Sequence, residues 1–500
     1  MDLFLQGSAL LFNVPNFLYM NLGLFLGVIF GAIPGLTVIL CIVLFLPFTY
    51  TLGAVESFMF LLGIYCAGSY GGSISAILIK TPGTPHAAAT MLDGYPLTKQ
   101  GKSMKALKMA LIASTFGGIF SAIVLLFFAP QVAKFAQMMG TPEYFLVCAF
   151  GLTIIAGVSG NNLIKGIIAG AFGLFISTIG IDAMSGGTRF IFNNINLYSG
   201  IALVISLIGL FALSEVLAKS EKVVVDTKVN TEDLNKENAK FTQEEKKSVR
   251  RPMILSAIIG VIIGIIPGTG ASMASFFSYD RARSMSKHPE MFGKGSLEGI
   301  SACETANNAV TGATLIPLLT MGIPGDGSVA IMLGALMING LTPGPNLFVE
   351  HGPIMYAIMI GLIFVNIFMF LQGKILTKWF AKVISVPVYL LTPIIVMFCF
   401  AGAFSVNSSL FDIKVTLVFA VIAYIMSKFG FSTIPVLLGL VLGTLTEENF
   451  RRSLVLSDGK WDIFVSSPIC IAFLSLIIIT LVLIINSQVK NSRKKGENNE

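Results

Sequence analysis

Four Pro-Gly pairs interrupt apolar stretches of this sequence, and their spacing suits them to binding a small ion. They are Pro34-Gly35, Pro82-Gly83, Pro267-Gly268 and Pro324-Gly325. A Pro-Gly pair breaks backbone hydrogen bonding, and within hydrocarbon the freed N–H and C=O groups must face protein or water. Two half-helices that meet at such a break offer positive N-termini to an anion and carbonyl-bearing C-termini to a cation. A proline kink explains any single break equally well, whereas four breaks at repeated positions favour a shared site.

Small and polar residues around these breaks supply the candidate ligands. Glycine lets backbone amides approach a carboxylate closely, and Ser, Thr and Asn oxygens can hydrogen bond an anion or coordinate Na⁺. The residues predicted to bind substrate are Pro34, Gly35, Gly71, Gly72, Ser73, Thr81, Pro82, Gly83, Thr84, Pro267, Gly268, Pro324, Gly325, Gly327 and Ser328. The residues predicted to bind a coupling cation are Asn307, Asn308, Thr311 and Asp326. The alternative for each hydroxyl is a bond to its own helix backbone.

Three charged residues, Lys80, Glu304 and Asp326, lie beside or within apolar stretches. Charge at such a depth is costly and therefore marks a candidate functional residue. Asp326 either coordinates a coupling cation or caps the half-helix that follows it. Glu304 is either functional or lies at the membrane interface, where it would orient a loop. Lys80 either attracts an anion or extends to a lipid headgroup, and both alternatives stay open.

The elements that must position these residues are membrane helices. Hydrophobic residues make up 55% and charged residues 12% of the 500 residues, about half the charged share of a soluble domain. Stretches without charge recur along the chain at the length of roughly 20 residues that spans a bilayer. We therefore expect an all-α polytopic membrane protein with about 10–14 membrane segments, some of them broken or re-entrant at Pro-Gly pairs.

The chain divides into two related halves. A polar stretch at 219–251 predicts a hydrophilic cytoplasmic linker between membrane halves at 1–218 and 252–489, with a basic cytoplasmic tail at 490–500. The segment GVIFGAIPG at 27–35 returns as GVIIGIIPG at 260–268, which moves its proline from 34 to 267, an offset of 233. The second Pro-Gly pair moves from 82 to 324, an offset of 242. Repeated blocks in the same order predict a duplication.

Basic loops alternate between the two halves. Lys99, Lys102, Lys105 and Lys108 follow the second break of half one, and the equivalent region at 341–350 has no Lys or Arg. Conversely, Arg281, Arg283, Lys287 and Lys294 follow the first break of half two, and the region after Thr49 has none before Lys80. Because basic loops face the cytoplasm, this alternation predicts that one half is inverted relative to the other.

Other classes of function find little support in the sequence. The six cysteines and three histidines are scattered singly, without a CxxC pair or an HExxH motif, so neither a metal centre nor an enzyme is expected. The net charge of +7 arises from Lys and Arg in connecting loops, which is an orientation signal and not a nucleic-acid footprint.

Together these motifs resemble the TctA family, the large membrane subunit of the tripartite tricarboxylate transporters. The resemblance covers nearly the whole chain. It rests on Gly-x-x-x-Gly-x-x-Pro-Gly at 27–35, Tyr-Gly-Gly-Ser through Pro at 70–85, Asp-Gly-Tyr-Pro at 93–96, Glu-Thr-Ala-Asn-Asn at 304–308, Gly-Ile-Pro-Gly at 322–325 and Gly-Leu-Thr-Pro-Gly-Pro at 340–345. One position departs from the family pattern, which is usually neutral before Thr81, whereas this chain has Lys80. The preferred charge of the substrate therefore stays open.

The resemblance implies a secondary transporter in the bacterial cytoplasmic membrane that imports tricarboxylate-like or dicarboxylate-like organic acids. It implies alternating access with Na⁺ or H⁺ as the coupling ion and no other cofactor. It also implies two protein partners, a small membrane subunit and an extracytoplasmic solute-binding protein, in addition to the surrounding lipid. A stand-alone secondary carrier and an anion channel are the alternatives.

Overall fold

Helices account for most of the residues that the structure describes, as the long uncharged stretches predict. The computed structural model describes residues 2–158, 163–221, 240–268, 270–344, 346–384, 386 and 388–497. The helices of half one are α1 (Asp2–Leu11), α2 (Val14–Ala32), α3 (Val38–Phe45), α4 (Ala54–Ile79), α5 (Met91–Lys99), α6 (Ser103–Ala136), α7 (Thr141–Val158), α8 (Leu163–Ser177), α9 (Leu203–Leu207) and α10 (Ser214–Ser220). A π-helical stretch, Ile208–Leu213, joins α9 to α10.

Half two continues in the same way. Its helices are α11 (Gln243–Ile265), α12 (Gly270–Met285), α13 (Leu297–Ala313), α14 (Leu315–Met321), α15 (Gly327–Ile338), α16 (Leu347–Glu350), α17 (Gly352–Val383), α18 (Val388–Asn407), α19 (Leu410–Lys428), α20 (Ile434–Leu456) and α21 (Pro468–Glu497). Most of the predicted linker, residues 222–239, lies outside the described residues, but α11 begins within its last part. Two short strands, Gly180–Ile181 and Thr188–Arg189, pair antiparallel in the loop after α8.

Eight helices in the described part of the chain are long and apolar enough to cross a membrane, and four shorter apolar helices accompany them. The all-α polytopic fold class is therefore confirmed. The outer face of α11 shows why such helices require lipid, since Ile254, Ile258 and Ile262 recur every four residues and are exposed. A soluble protein would bury this stripe, whereas in a bilayer it faces the acyl chains.

The Pro-Gly pairs end helices, as their chemistry predicts. Helix α2 stops at Ala32 and α11 stops at Ile265, each shortly before its Pro-Gly pair. Gly35 (φ +92°) and Gly268 (φ +80°) then turn the chain through a backbone conformation that other residues rarely adopt. The second break of each half likewise lies between helices, because α4 ends before Pro82 and α14 ends before Pro324.

Glycine contacts repeat between the halves with the offsets found in the sequence. In each half, two glycines one turn apart pack against the backbone of a later helix: Gly27 on Ile64 and Gly31 on Gly68 in half one, and Gly260 on Ala306 and Gly264 on Val310 in half two. A Cβ atom on any of the four would lie within 3.1 Å of a partner backbone atom. The glycines differ by 233 positions and their partners by 242, so the duplication extends to the packing of α2 on α4 and of α11 on α13.

The equivalent helices α4 and α13 pack against each other and run antiparallel. Tyr65, near the middle of α4, contacts Thr314 just after α13, and Ser73, nearer the end of α4, contacts Glu304 in the first half of α13. Residue numbers thus rise along one helix as they fall along the other. This arrangement favours the inverted relation that the alternating basic loops predict.

The basic loops that alternate in sequence meet at one end of the bundle. The Gln100 amide donates to the backbone oxygen of Lys294, 2.8 Å away, so the loop after α5 contacts the loop before α13. Lys105 at the start of α6 pairs with Glu245 at the start of α11, 2.5 Å away. We call this end, formed by the α5–α6 loop, the α12–α13 loop and the start of α11, the basic end.

The opposite end is held by a separate charged network. Arg189 pairs with Glu447 (2.6 Å) and Arg451 with Asp182 (2.8 Å), which ties the loop after α8 to α20. The Ser185 hydroxyl and the Arg451 guanidinium hold the pKa of Asp182 well below its usual range. Asp182 therefore stays ionised across physiological pH, and its ion pair with Arg451 continues to hold the loop after α8 against α20.

Candidate functional site

The two Pro-Gly breaks of each half lie side by side. In half two the Gly268 amide donates to the Gly325 carbonyl oxygen, 2.9 Å away. In half one Gly83 rests on the end of α2, where a Cβ atom on it would lie 1.9 Å from the Gly31 carbonyl oxygen. The Gly83 amide donates to Gly72, 3.2 Å away. Each pair of breaks therefore forms one local unit of irregular backbone among packed helices.

A line of polar contacts between α4 and α13, which we call the central seam, joins the two halves. The contacts are Tyr65 Oη to Thr314 Oγ1 (3.4 Å), Cys66 Sγ to Thr311 Oγ1 (3.6 Å), Asn307 Nδ2 to Ser69 O (3.3 Å) and Ser73 Oγ to Glu304 Oε1 (2.5 Å). All eight residues are buried. The repeated helices therefore meet through hydroxyl, thiol, amide and carboxyl groups where apolar packing would be usual.

Glu304 lies in the interior of the protein, within α13 and not in a loop. Its exposed fraction is 0%, because α13 is packed between α4 and α6. Three hydroxyl groups donate to its carboxylate: Ser73 and Thr90 to Oε1, and Ser114 to Oε2 at 2.9 Å. Among the described residues no Lys, Arg or His forms an ion pair with Glu304.

Asp326 bridges the second break of half two and the seam. Its Oδ1 accepts the Val329 amide at 2.9 Å and so caps α15, and its Oδ2 accepts the Tyr65 hydroxyl at 2.5 Å. His86, just after the second break of half one, interacts electrostatically with Asp326. One carboxylate thus caps a half-helix of half two and accepts a hydrogen bond from Tyr65 of half one. The cap accounts for one oxygen, and the other remains available to the seam.

Several buried polar atoms near the breaks have no hydrogen-bond partner in the described part of the chain. They include both side-chain polar atoms of Asn308, the Asn307 Oδ1 atom and the Thr84 hydroxyl. Leaving a buried polar group unpaired costs about 1–3 kcal/mol. Such groups persist when a water, an ion or a ligand satisfies them. Asn308, which is fully buried, is the clearest of these candidate ligands.

Not all of the predicted substrate-binding residues come together. Ser73 lies in the seam, Thr84 is buried against Gly72, and Pro324, Gly325, Gly327 and Ser328 surround the cap of α15. Gly71 instead packs on α2, where a Cβ atom would lie 2.7 Å from the Val28 carbonyl oxygen. The half-buried Pro34, Pro82, Pro267 and Gly268 form the turns themselves, and Thr311 bonds back to Asn308 within α13.

Lys80, Thr81 and Gly35 lie apart from the seam. All three are exposed, and Lys80 ends α4 in a left-handed conformation, with its ammonium 5.9 Å from the centre of the Tyr95 ring. The Lys99 ammonium lies 5.2 Å from the same ring. Lys80 therefore lies beside the basic end, and both alternatives for its role stay open.

Sequence analysis missed four residues of the site. Tyr65 lies on the same helical face as Ser69 and Ser73, so the four-residue spacing of polar side chains was a usable signal. Thr90, Ser114 and His86 carry no such signal. They reach the seam only because the α4–α5 connection and α6 pack against α13.

Asp93, in the Asp-Gly-Tyr-Pro motif, fastens the start of α13. It is fully buried, and its Oδ1 accepts three backbone amides, from Gly293 (2.8 Å), Gly295 (2.9 Å) and Ser296 (2.8 Å). These amides immediately precede Leu297, the first residue of α13. A carboxylate of half one therefore sets the position of the helix that carries Glu304 and Asn308.

We expect Asp93→Ala to destabilise the protein by about 2–5 kcal/mol, because it leaves three backbone amides without their acceptor. Thermal unfolding in detergent measures the change, and Asp93→Asn, which keeps one acceptor oxygen, should lose less. The exposed Asp280 provides the matched control, since Asp280→Ala removes a carboxylate from solvent. Equal unfolding temperatures for Asp93→Ala and Asp280→Ala would contradict the fastening role.

Comparisons with known proteins agree with this architecture. Residues 17–438 match the family model described as "Tripartite tricarboxylate transporter TctA family". An "Uncharacterized 52.8 kDa protein in TAR-I ttuC' 3'region" of Agrobacterium vitis is 33% identical over 480 residues, which is 96% of this chain and 95% of that protein. An "Uncharacterized protein in TAR-II ttuC' 3'region" of the same organism is 34% identical over 234 residues, which is 47% of this chain and 97% of that protein. No solved structure matches.

Proposed function

This chain belongs to the tripartite tricarboxylate transporter TctA family, and we propose that it imports small organic anions as the large membrane subunit of a secondary transporter. The observation that carries the proposal is the paired Pro-Gly breaks beside a buried seam that joins two repeated halves. Carriers built from repeats bind substrate at such breaks, near the middle of the membrane.

The substrate carboxylates are held by neutral donors. No Lys or Arg is buried among the described residues, so charge neutralisation by a basic side chain is not built into the interior. Backbone amides near Gly325 and Ser328, at the start of α15, and the unpaired Thr84 and Asn308 side chains supply hydrogen bonds instead. A bound anion without a basic partner is stabilised by a cation that enters with it, which favours symport over uniport.

The repeated halves support a mechanism of alternating access. The central seam is made of side-chain contacts that can break and re-form without disrupting the backbone of either helix. One part of each half moves against its scaffold and exposes the breaks first at one end and then at the other. Na⁺ or H⁺ binds near Asn307, Asn308, Thr311 and Asp326 and couples this movement to an ion gradient.

The protein works in the bacterial cytoplasmic membrane with two partners. The basic end faces the cytoplasm, since Lys and Arg concentrate there and in the linker that joins the halves. A small membrane subunit packs beside the chain, and an extracytoplasmic solute-binding protein delivers substrate to the opposite end. The family assignment supports both partners.

Reconstituted uptake tests this proposal. The chain is placed in proteoliposomes together with its small membrane subunit and binding protein, and uptake of radiolabelled carboxylates that bind the purified binding protein is measured. We expect saturable uptake that requires an inward Na⁺ or H⁺ gradient and the binding protein. Equal uptake without the binding protein would establish a stand-alone carrier, and non-saturable flux without a gradient would establish a channel.

Asn308→Ala should reduce this uptake by about tenfold or more, because it removes a fully buried amide with no partner in the described structure. The exposed Asn346→Ala is the matched control and should transport normally. An unpaired buried amide destabilises the folded protein. Because Asn308→Ala removes such an amide, its unfolding temperature should not fall below that of the wild type. Unchanged uptake by Asn308→Ala would remove this residue from the site.

A further inference from the structure

The environment of Glu304 differs from that of an ordinary buried acid. Three hydroxyl groups from three separate elements of half one converge on this one carboxylate of half two: Ser73 from α4, Thr90 from the turn before α5, and Ser114 from α6. Every one of these residues has an exposed fraction of 0%. Asn307, one turn further along α13, donates its amide to the Ser69 carbonyl oxygen.

The surroundings leave the charge of this carboxylate without a counter-ion. Hydroxyl groups orient their dipoles toward it but carry no net charge, and the part of the chain described by the structure places no cationic side chain in contact with it. Removing an unpaired carboxylate from water costs several kcal/mol even after relaxation. A small cation bound beside the carboxylate would offset that cost.

The number of oxygen atoms distinguishes between the candidate cations. A proton on Glu304 needs one acceptor, and a single neighbouring hydroxyl supplies it. Here two carboxylate oxygens and three hydroxyl oxygens lie together, and the Asn307 Oδ1 atom is buried without a partner nearby among the described residues. Carboxylate, hydroxyl and amide oxygens are the ligands of hard metal cations, and a hydroxyl can turn its lone pairs toward such an ion.

We propose that Glu304, with the hydroxyl groups of Ser73, Thr90 and Ser114, forms a Na⁺ site at the interface of the two halves. The site is separate from Asp326, whose oxygens cap α15 and accept Tyr65. The proposal rests on the proposed transport function, to which it adds a Na⁺ site beside the predicted cation-binding residues Asn307, Asn308 and Thr311.

Because this site lies between the two halves, bound Na⁺ stabilises the packing of α13 against α4 and α6. One carboxylate of half two and three hydroxyl groups of half one share the ion, so its binding energy is available only while α13 lies against α4 and α6. Loss of Na⁺ leaves an unpaired carboxylate at this interface and favours separation of these helices. The ion therefore biases the equilibrium between two arrangements of the halves, by its different affinity for each.

Binding of ²²Na⁺ to the purified chain in detergent, without substrate or partners, tests the site directly. Glu304→Gln should lower Na⁺ affinity by about tenfold or more, because it removes the charge at nearly constant shape. Ser114→Ala, which removes one hydroxyl, should lower the affinity less. Glu298→Gln makes the same change in the first turn of the same helix, without contact to the three hydroxyl groups, and should bind Na⁺ normally.

Thermal unfolding provides the second readout. Na⁺, but not choline, should raise the unfolding temperature of the wild type and of Glu298→Gln and leave that of Glu304→Gln unchanged. Without Na⁺, Glu304→Gln should be at least as heat-stable as the wild type, since it carries no unpaired buried charge. If Glu304→Gln does not fold, the affinities of Ser114→Ala and Thr90→Val decide.

Undiminished ²²Na⁺ binding by Glu304→Gln, or by both hydroxyl variants, would overturn the site. Binding that protons displace but Na⁺ does not saturate would overturn the choice of ion. Both results leave the transport proposal standing, because that proposal depends on uptake into proteoliposomes. Conversely, wild-type chain that binds Na⁺ but supports no uptake would contradict the transport function and not the site.

Discussion

Replacing Gly83 with alanine is expected to reduce uptake by about 100-fold, because the added methyl group displaces the break from its place beside α2. The Cβ atom would lie 1.9 Å from the Gly31 carbonyl oxygen and 2.9 Å from the Ser75 hydroxyl. A backbone carbonyl at the end of a packed helix cannot move aside as a flexible side chain can. Overpacking of this kind destabilises a protein by about 1–3 kcal/mol, so the variant should still fold at low temperature.

The matched control is Gly187→Ala, in the loop after α8. An added Cβ atom there meets only the Ser185 hydroxyl at 3.4 Å, and the backbone conformation is one that alanine adopts. Its uptake should equal that of the wild type. Proteoliposome uptake and thermal unfolding are measured on the same preparations. Together they distinguish a variant that folds but does not transport from one that does not fold. Gly83→Ala with normal uptake would show that the contact between break and helix is not required.

The equivalent substitution in half two tests whether the duplication is functional. At Gly325 a Cβ atom would lie 2.7 Å from the Thr314 side chain. This contact is longer than the 1.9 Å contact at Gly83 and requires a smaller shift, so we expect Gly325→Ala to lose less uptake than Gly83→Ala. The two equivalent glycines, Gly83 and Gly325, are therefore expected to tolerate an added methyl group to different degrees.

Local signals explain what could be predicted from the sequence. Pro-Gly pairs end helices through their own covalent structure, so the positions of all four breaks were readable. The Gly-x-x-x-Gly spacing puts Gly27 and Gly31 on one face of a helix, and the same spacing at Gly260 and Gly264 gave the repeat. The packing of these glycines in the fold retains both offsets.

Long-range packing explains what could not be predicted. Glu304 lies in the interior because α13 packs against helices of both halves, and Asp93 of half one holds the start of this helix. Its hydroxyl partners Thr90 and Ser114 lie 214 and 190 residues away in the chain. No spacing rule connects positions so distant. Gly71, predicted as a ligand, packs against the backbone of α2, a contact that its position in the sequence does not indicate.

Asp326→Asn and Asp326→Ala together should separate the capping role of this residue from its role as a charge. Asparagine caps helices about as well as aspartate, so Asp326→Asn should keep α15 intact and unfold near the wild-type temperature. Alanine removes the acceptor of both Val329 and Tyr65 and should cost about 1–3 kcal/mol or more. Uptake should fall by about tenfold or more in both variants if the negative charge takes part in transport.

The pattern across the two variants and Tyr65→Phe decides between the alternatives for Asp326. A carboxylate that only caps α15 predicts normal uptake for Asp326→Asn, because the amide oxygen replaces the cap. A carboxylate that also binds a coupling cation predicts that Asp326→Asn is folded, transports poorly and needs more Na⁺ or H⁺ for half-maximal uptake. Tyr65→Phe removes the hydroxyl that contacts Asp326 Oδ2 but leaves the charge, so it should shift this cation dependence by less than Asp326→Asn does. Equal uptake by the wild type and Asp326→Asn at every cation concentration would leave Asp326 as a cap and nothing more.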